Sequence, residues 1–158
     1  MKPHLEPISA LSLEDVMGVW YLDDAYAVDE AGSRLYSVYG EKPTGYIHYD
    51  AGGRMIVLIT HDGRSRLEGD RQAAPGDQRA AAYSTCIAYA GPYVLQDDHI
   101  LHCIDASTYP NWVGTELLRY VSLENEALVL RTPPQMQNGV ITVMKLIWRR
   151  MPDVSPKE

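Results

Sequence analysis

Short segments that alternate apolar and polar residues fill the second half of this 158-residue chain, and turn-forming residues separate them. Alternation with a period of two indicates β-strands that bury one face, and clusters of Pro, Gly, Asn and Asp indicate the turns between them. Strands are predicted at 87–95, 99–106, 115–123, 127–132 and 140–150. A run of short strands at this spacing, with little helix, is typical of an antiparallel barrel or sandwich.

The first half of the chain adds a short helix and a hairpin to this pattern. Ser12 followed by Asp15 resembles a capping box, which predicts a short helix with a strand after it. Two further strands flank the Gly-containing turn 50–53, as in a β-hairpin. A long loop at 62–78 resembles the loops that often form lids or portals. The stretch RAAAYS within 77–85 predicts a turn or two of helix.

The expected fold class is all-β. It is an antiparallel up-and-down β-barrel of about eight to ten strands, with a short N-terminal helix and one short helix in a long loop. A barrel is favoured over a sandwich because closing the sheet removes its edge strands. The predicted single domain spans 12–150, with tails at 1–11 and 151–158, and its length suits one hydrophobic core.

The net charge and the composition of the chain limit the kinds of molecule that it is expected to bind. The net charge of −7 argues against binding to nucleic acid or to an anionic membrane surface. The longest apolar run near the end, VITVMKLIW, contains Lys145 and is too short to span a bilayer. The N-terminus lacks the pattern of a signal peptide. Cys86 and Cys103 lack CxxC spacing, which argues against a metal or redox motif. Two cysteines in apolar surroundings fit a reduced, cytoplasmic location, which is predicted, and a homodimer is left open.

Three ionisable residues lie on strand faces that otherwise look buried: Asp24, His102 and Arg119. Burying a charge without a partner costs several kcal/mol or forces neutralisation. These groups therefore either pair with one another, as an Arg119–Asp24 ion pair would, or face a cavity that admits water and ligand. A lone interior histidine can equally be a hydrogen-bonded core residue.

The predicted strand register brings three polar residues into one row. A tight turn at 96–99 places Tyr93 opposite His102, and a pairing of Ala106 with Thr115 places His102 opposite Arg119. Directly opposed residues point to the same side of a sheet, so the row would face inward, although a slip of one residue would destroy it. Tyr93, His102 and Arg119 are the candidate catalytic residues.

A wider group of residues is expected to contact a ligand. The chain has 11 Tyr and 3 Trp but no Phe, and rings that carry a polar group suit the wall of a cavity. The face that His48 occupies is left open, whereas His4 and His61 are expected to be peripheral. No nucleophile, phosphate-binding, cofactor or metal motif is recognised, so no cofactor or metal is predicted. The predicted ligand-binding residues are Asp24, Tyr26, His48, Tyr89, Trp112 and Met144.

Several stretches of the chain are similar to a known protein family. Gly18-Val19-Trp20 resembles the Gly-x-Trp of lipocalins, in which the Trp plugs one end of the barrel and a late Arg packs over it; here Arg149 or Arg150 is placed to do so. The wider set resembles the bacterial and fungal lipocalin-like domain family. It comprises GVW, PTGYIHYDAGGRM, AYAGPYVL, the His102 strand, PNWVGTELLRY, LVLRTPP and LIWRR. The resemblance implies a small calycin-type barrel with an internal cavity.

Two functions follow as alternatives. The one favoured is a cofactor-independent enzyme that acts on a hydrophobic small molecule held in the cavity, because some lipocalin-like barrels are cyclases or isomerases in natural-product biosynthesis. Positioning would supply much of the catalysis, with His102 as general acid or base. The alternative is a carrier of an apolar ligand without chemistry. A haem binder of the nitrobindin type, which needs a His within reach of iron, ranks last.

Overall fold

The computed structural model describes residues 10–154. His4 and most of the two predicted tails lie outside these residues, and the predicted domain limits at 12 and 150 stay a prediction. Within residues 10–154, no helix is long and apolar enough to cross a membrane.

Strands dominate the described part of the chain, as predicted. Two α-helices, α1 and α2, and one 3₁₀ turn interrupt them; they span Leu13–Val16, Gly76–Ser84 and Pro110–Trp112. The strands are β1 Gly18–Val28, β2 Arg34–Ser37, β3 Thr44–Tyr49, β4 Arg54–Thr60, β5 Cys86–Leu95, β6 His99–Cys103, β7 Ala106–Ser107, β8 Glu116–Glu124, β9 Ala127–Arg131, β10 Gln135–Gln137 and β11 Val140–Arg150.

Eight of these strands close into an antiparallel barrel in the order β1-β3-β4-β5-β6-β8-β9-β11, and β11 pairs with β1 to complete the circle. The three short strands lie beside longer ones: β2 on β1, β7 on β5 and β10 on β11. Closure satisfies the backbone hydrogen bonds that an open sheet would leave at its edges. The predicted all-β, lipocalin-like barrel is therefore confirmed.

One end of the barrel is sealed by α1, Trp20 and Arg150. Trp20 is buried and its indole N–H donates to the Val16 carbonyl at 2.8 Å. The Arg150 guanidinium lies 4.3 Å above the Trp20 ring and donates to the Met17 carbonyl at 2.7 Å. It also donates to the carbonyl of Asp15 in α1, at 3.1 Å. Of the two candidate arginines, Arg150 is thus the one that packs over the tryptophan.

At two positions, a neighbouring group lies so close to the backbone that a residue larger than glycine would clash with it. At Gly18, φ is +118° and an added Cβ would lie 2.9 Å from Nη1 of Arg150. At Gly91 in β5, an added Cβ would lie only 1.8 Å from the Cys103 carbonyl oxygen. A side chain at Gly91 would therefore push apart the backbones of β5 and the end of β6.

A β-bulge in β1 overturns the expectation that Asp24 lies on a buried strand face. The register with β11 shifts between Leu22 and Asp24, and beyond it Ala25 and Ala27 are the buried residues. A bulge adds one residue to one strand, so the alternation reverses after it. Asp24 and Tyr26, predicted to bind ligand, therefore lie on the outer face of the barrel.

Candidate functional site

A cavity of about 210 Å³ lies inside the barrel. Its wall is mainly aliphatic and aromatic, and its few polar groups come from tyrosine, threonine, glutamine and one arginine. The apolar wall is built from Ile47, Val57, Ile59, Ile87, Leu130, Met144, Leu146 and Trp148. The other lining residues are Tyr39, Tyr89, Trp112, Arg119, Thr132, Gln135 and Gln137.

The end of the cavity farthest from α1 is formed by Tyr39, Trp112, Gln135 and Gln137, and we call this group the mouth. Trp112 ends the 3₁₀ turn and contacts the Tyr89 ring edge-on, with 5.4 Å between ring centroids. Trp112 thus lies at the barrel rim. The loop 62–78, expected as a possible lid or portal, contributes no residue to the cavity wall.

Arg119 lines the cavity, but the predicted register around it is wrong by two residues. It pairs with Ile100 of β6, and the residue opposite His102 is Leu117. Because side chains alternate with a period of two, an error of two residues leaves Arg119 on the predicted inner face. Arg119 therefore lies on the predicted inner face, but the residue opposite it is Ile100 and not His102.

Arg119 does not form the ion pair with Asp24 that was one of the alternatives. Asp24 pairs instead with Arg34 across the outer face, at 2.8 Å, and this hydrogen-bonded guanidinium lowers the pKa of the Asp24 carboxyl. None of the ion pairs formed by residues 10–154 includes Arg119. Its Nη1 donates to the Leu118 carbonyl at 2.9 Å.

His102 is completely buried between two tyrosines. Its Nε2 lies 2.7 Å from the Tyr49 hydroxyl and its Nδ1 lies 3.4 Å from the Tyr89 hydroxyl. Burial, together with the positive charge of Arg119, lowers the pKa of His102 to about 3. The imidazole is therefore neutral at physiological pH, and His102 is not among the residues that line the cavity.

The side chain of Tyr93 is held by packing and hydrogen bonding with other residues of the protein. It pairs with His102 across β5 and β6, as the register analysis indicated, and is 7% exposed. Its hydroxyl donates to the Asp50 carbonyl at 2.7 Å, and its ring packs edge-on against Tyr49. Like His102, Tyr93 does not reach the cavity. Tyr93 and His102 are therefore neighbours, whereas Arg119 lies opposite Ile100, and of the three only Arg119 lines the cavity.

A chain of polar groups joins the cavity to the core. The Arg119 guanidinium lies beside the Tyr89 hydroxyl on the cavity wall. This hydroxyl faces His102, which in turn faces Tyr49. Burial raises the pKa of Tyr89, while Arg119 acts against that rise. Burial also holds the pKa of Tyr49 well above its usual value. These tyrosines are therefore neutral hydrogen-bonding groups at physiological pH.

The remaining predicted ligand contacts divide between the two faces of the barrel. Tyr89, Trp112 and Met144 line the cavity, and their contact with a ligand stays a prediction. His48 is exposed on the outer face of β3, so it cannot contact a ligand in the cavity. Its neighbour Tyr49 points inward instead, and alternation gave no signal for this because β4, which pairs with β3, is apolar on both faces.

Comparison with known protein families shows the family to which this chain belongs. The model of a family described as a lipocalin-like domain matches residues 17–151. The chain belongs to the lipocalin-like domain family. A relative of this lipocalin-like protein is the 4'-hydroxy-3'-methoxypropiophenone carrier protein of Aspergillus oryzae. The two are 29% identical over 108 residues, which cover 62% of this chain and 97% of the relative.

Sequence patterns missed several polar groups of the lipocalin-like cavity. Gln135 and Gln137 lie in a three-residue strand directly after Pro133-Pro134, a stretch that indicated only a turn. The indole N–H of Trp148, a buried residue of the cavity wall, has no hydrogen-bond partner among residues 10–154. An apolar chamber with a small number of polar groups is suited to holding one small molecule in a fixed orientation.

Proposed function

We propose that this protein binds and carries a compact, mainly apolar small molecule in the barrel cavity. The observation that carries the proposal is the enclosed volume of about 210 Å³ within an aliphatic and aromatic wall. An apolar cavity of about 150 Å³ in another protein accommodates benzene. The chamber thus suits one aromatic ring with small substituents.

The distribution of polar groups supports one orientation for such a ligand. Arg119, Thr132 and the two glutamines gather toward the mouth, whereas Leu130, Leu146 and Trp148 surround the deeper part. An oxygen-bearing end would therefore lie near the mouth and the ring would pack deeper. The relative from Aspergillus oryzae is named as the carrier of a single-ring aryl ketone, which agrees with this size and polarity.

Carriage is favoured over catalysis because of the state of His102. A general base works best when its pKa lies near the operating pH. The pKa of His102 is lowered to about 3, and both ring nitrogens already face tyrosine hydroxyls. Neither property suits a histidine that must exchange protons with a substrate, and His102 also lies behind the cavity wall.

The proposal is tested by titrating the purified protein with 4'-hydroxy-3'-methoxypropiophenone in a calorimeter. Met144 lines the cavity and Val143 beside it faces outward, so Met144→Trp and Val143→Trp form a matched pair. We expect Met144→Trp to weaken binding by about tenfold or more and Val143→Trp to leave it within about twofold. Equal binding by both variants would place the ligand outside the barrel.

Mass spectrometry of the protein under native conditions supplies an independent check. A single small molecule that co-purifies with the wild-type protein and is lost in Met144→Trp would support the proposal. A protein that neither retains such a molecule nor binds the aryl ketone would contradict it.

A cofactor-independent cyclase or isomerase is the second candidate function. Arg119 and Tyr89 both line the cavity, and hydrogen-bond donors so placed can stabilise an enolate oxygen. For an enzyme, Arg119→Met would abolish product formation while a ligand still binds. For a carrier, the wild-type protein returns its ligand unchanged and the substitution alters affinity alone.

The proposed partner is a small molecule, in agreement with the net charge of −7, which disfavours nucleic acid and anionic membranes. The cytoplasmic location and the homodimer stay predictions from the sequence. Cell fractionation and light scattering would test them.

A further inference from the structure

Arg119 brings a positive charge to the cavity without a matching negative charge. The ion pairs of residues 10–154 lie elsewhere on the barrel, and none includes Arg119. Its guanidinium donates to the Leu118 carbonyl at 2.9 Å and lies beside the Tyr89 hydroxyl, and both of these groups are neutral. A guanidinium has five N–H donors and stays charged at every physiological pH. Donors therefore remain for an oxygen atom of a bound molecule.

The other ionisable groups around the cavity do not compensate this charge. Burial raises the pKa of Tyr39 to about 12 and also raises the pKa of Tyr89, so both stay protonated. His102, behind Tyr89, is neutral because its pKa is lowered to about 3. Arg119 contributes to the pKa values of all three groups, and no described carboxylate does so. Arg119 is thus the one charged residue among the described residues that line the cavity.

An uncompensated charge beside an apolar wall is energetically costly, and pairing with an opposite charge offsets that cost. Arginine is well suited to the pairing because its planar fork of N–H groups matches two oxygens of a carboxylate or one phenolate oxygen. The aliphatic wall of Ile59, Leu130 and Leu146 would exclude water from the contact, which strengthens it.

We propose that the ligand of this cavity carries an anionic oxygen, a carboxylate or a phenolate, that pairs with Arg119. This inference rests on the proposed function and narrows the ligand from compact aromatic molecules to compact aromatic anions. The anionic oxygen lies toward the mouth, beside Tyr89, and the ring packs against the aliphatic wall.

The test compares two probes of similar shape: 4-methoxybenzoate, which is an anion, and 4-methoxyacetophenone, which is neutral. Calorimetry is performed on the wild type, Arg119→Met, Arg119→Lys and Arg131→Met. Arg131 is the matched control, because it pairs with Glu124 and does not line the cavity, yet its removal changes the net charge by the same amount.

We expect the wild type to bind the benzoate about tenfold or more tightly than the ketone, as for a hydrogen bond to a charged group. Arg119→Met should lose this preference while its affinity for the ketone changes by about twofold or less. Arg119→Lys, which keeps the charge, should retain part of the preference, and Arg131→Met should retain all of it. Thermal melting followed by circular dichroism verifies that each variant is folded.

A third probe, 4-hydroxyacetophenone, distinguishes the two sources of negative charge. A phenolate absorbs at longer wavelength than the neutral phenol, so ionisation in the site is visible without reference to affinity. A preference for the benzoate alone indicates a carboxylate ligand. An absorption shift in the wild type that Arg119→Met abolishes indicates a phenolate ligand.

The results also separate this inference from the proposed function. Should the wild type bind the ketone as tightly as the benzoate, with no shift for the phenol, the anion is excluded while the carrier proposal stands. Failure of all three compounds to bind would contradict both.

Discussion

His102 is expected to make the stability of this protein depend on pH in the acid range. Its imidazole is completely buried and its pKa is lowered to about 3, mainly by burial and further by Arg119. In the unfolded chain, the same group has an ordinary pKa of about 6.5. Between these two values the unfolded chain binds a proton that the folded protein does not. The free energy of unfolding therefore falls as the pH falls through this window.

The size of the effect follows from the two pKa values. At about pH 4.5, His102 is protonated in the unfolded chain and neutral in the folded protein. This pH lies about two units below the pKa of about 6.5 that His102 has in the unfolded chain. At about 1.36 kcal/mol per unit, His102 lowers the free energy of unfolding by roughly 2.5 kcal/mol relative to pH 7.5. A native pKa one unit higher would change this figure little, because it would still lie below pH 4.5.

Urea unfolding at both pH values, monitored by tryptophan fluorescence, measures the loss. His102→Gln is the reference, since carboxylates such as Asp24 titrate alike in both proteins. We expect the wild type to lose roughly 2.5 kcal/mol more than the variant between pH 7.5 and 4.5. Equal losses would refute the reasoning. So would a His102 ring signal, followed by NMR in the folded wild type, that shows protonation between about pH 5 and 7.

Two further predictions concern the packing of the barrel. Arg150→Ala should lower the free energy of unfolding by about 2–3 kcal/mol, because it removes the contact with the Trp20 ring and the hydrogen bonds to α1. Arg149→Ala, which removes an exposed pair with Asp23, should cost less than about 1 kcal/mol, and equal costs would contradict a sealing role. Gly91→Ala should cost at least about 2 kcal/mol, because its Cβ would meet the Cys103 carbonyl oxygen. Gly32→Ala, in open space, should cost about 1 kcal/mol for its left-handed backbone alone, and chemical denaturation compares the two.

The fold followed from the sequence because strand alternation and turn residues are local signals. The 50–53 hairpin and four of the five later strands were predicted within about one residue of their observed bounds, whereas the strand predicted at 99–106 is divided into β6 and β7. The inner positions of His102 and Arg119 were also predictable, since alternation fixes a face even where the register is wrong by two residues.

Other site features depend on tertiary structure, and the sequence contains no local signal for them. The bulge between Leu22 and Asp24 reversed the face of Asp24 and Tyr26, yet no glycine or proline marks it. Tyr49 and His48 could not be assigned to faces because Ile56 and Leu58, on the outer side of β4, are apolar and exposed. The partner of Asp24 was missed because Arg34 reaches it through the β1–β2 pairing.

The pairing of Trp20 with Arg150 places the start of β1 and the end of β11 side by side at the sealed end. A reporter or an immobilisation linker joined through either of these strand ends would stand on the side of the barrel away from Trp112. Molecules could then exchange through the rim without obstruction, so the protein can be mounted on a sensor surface in one favourable orientation.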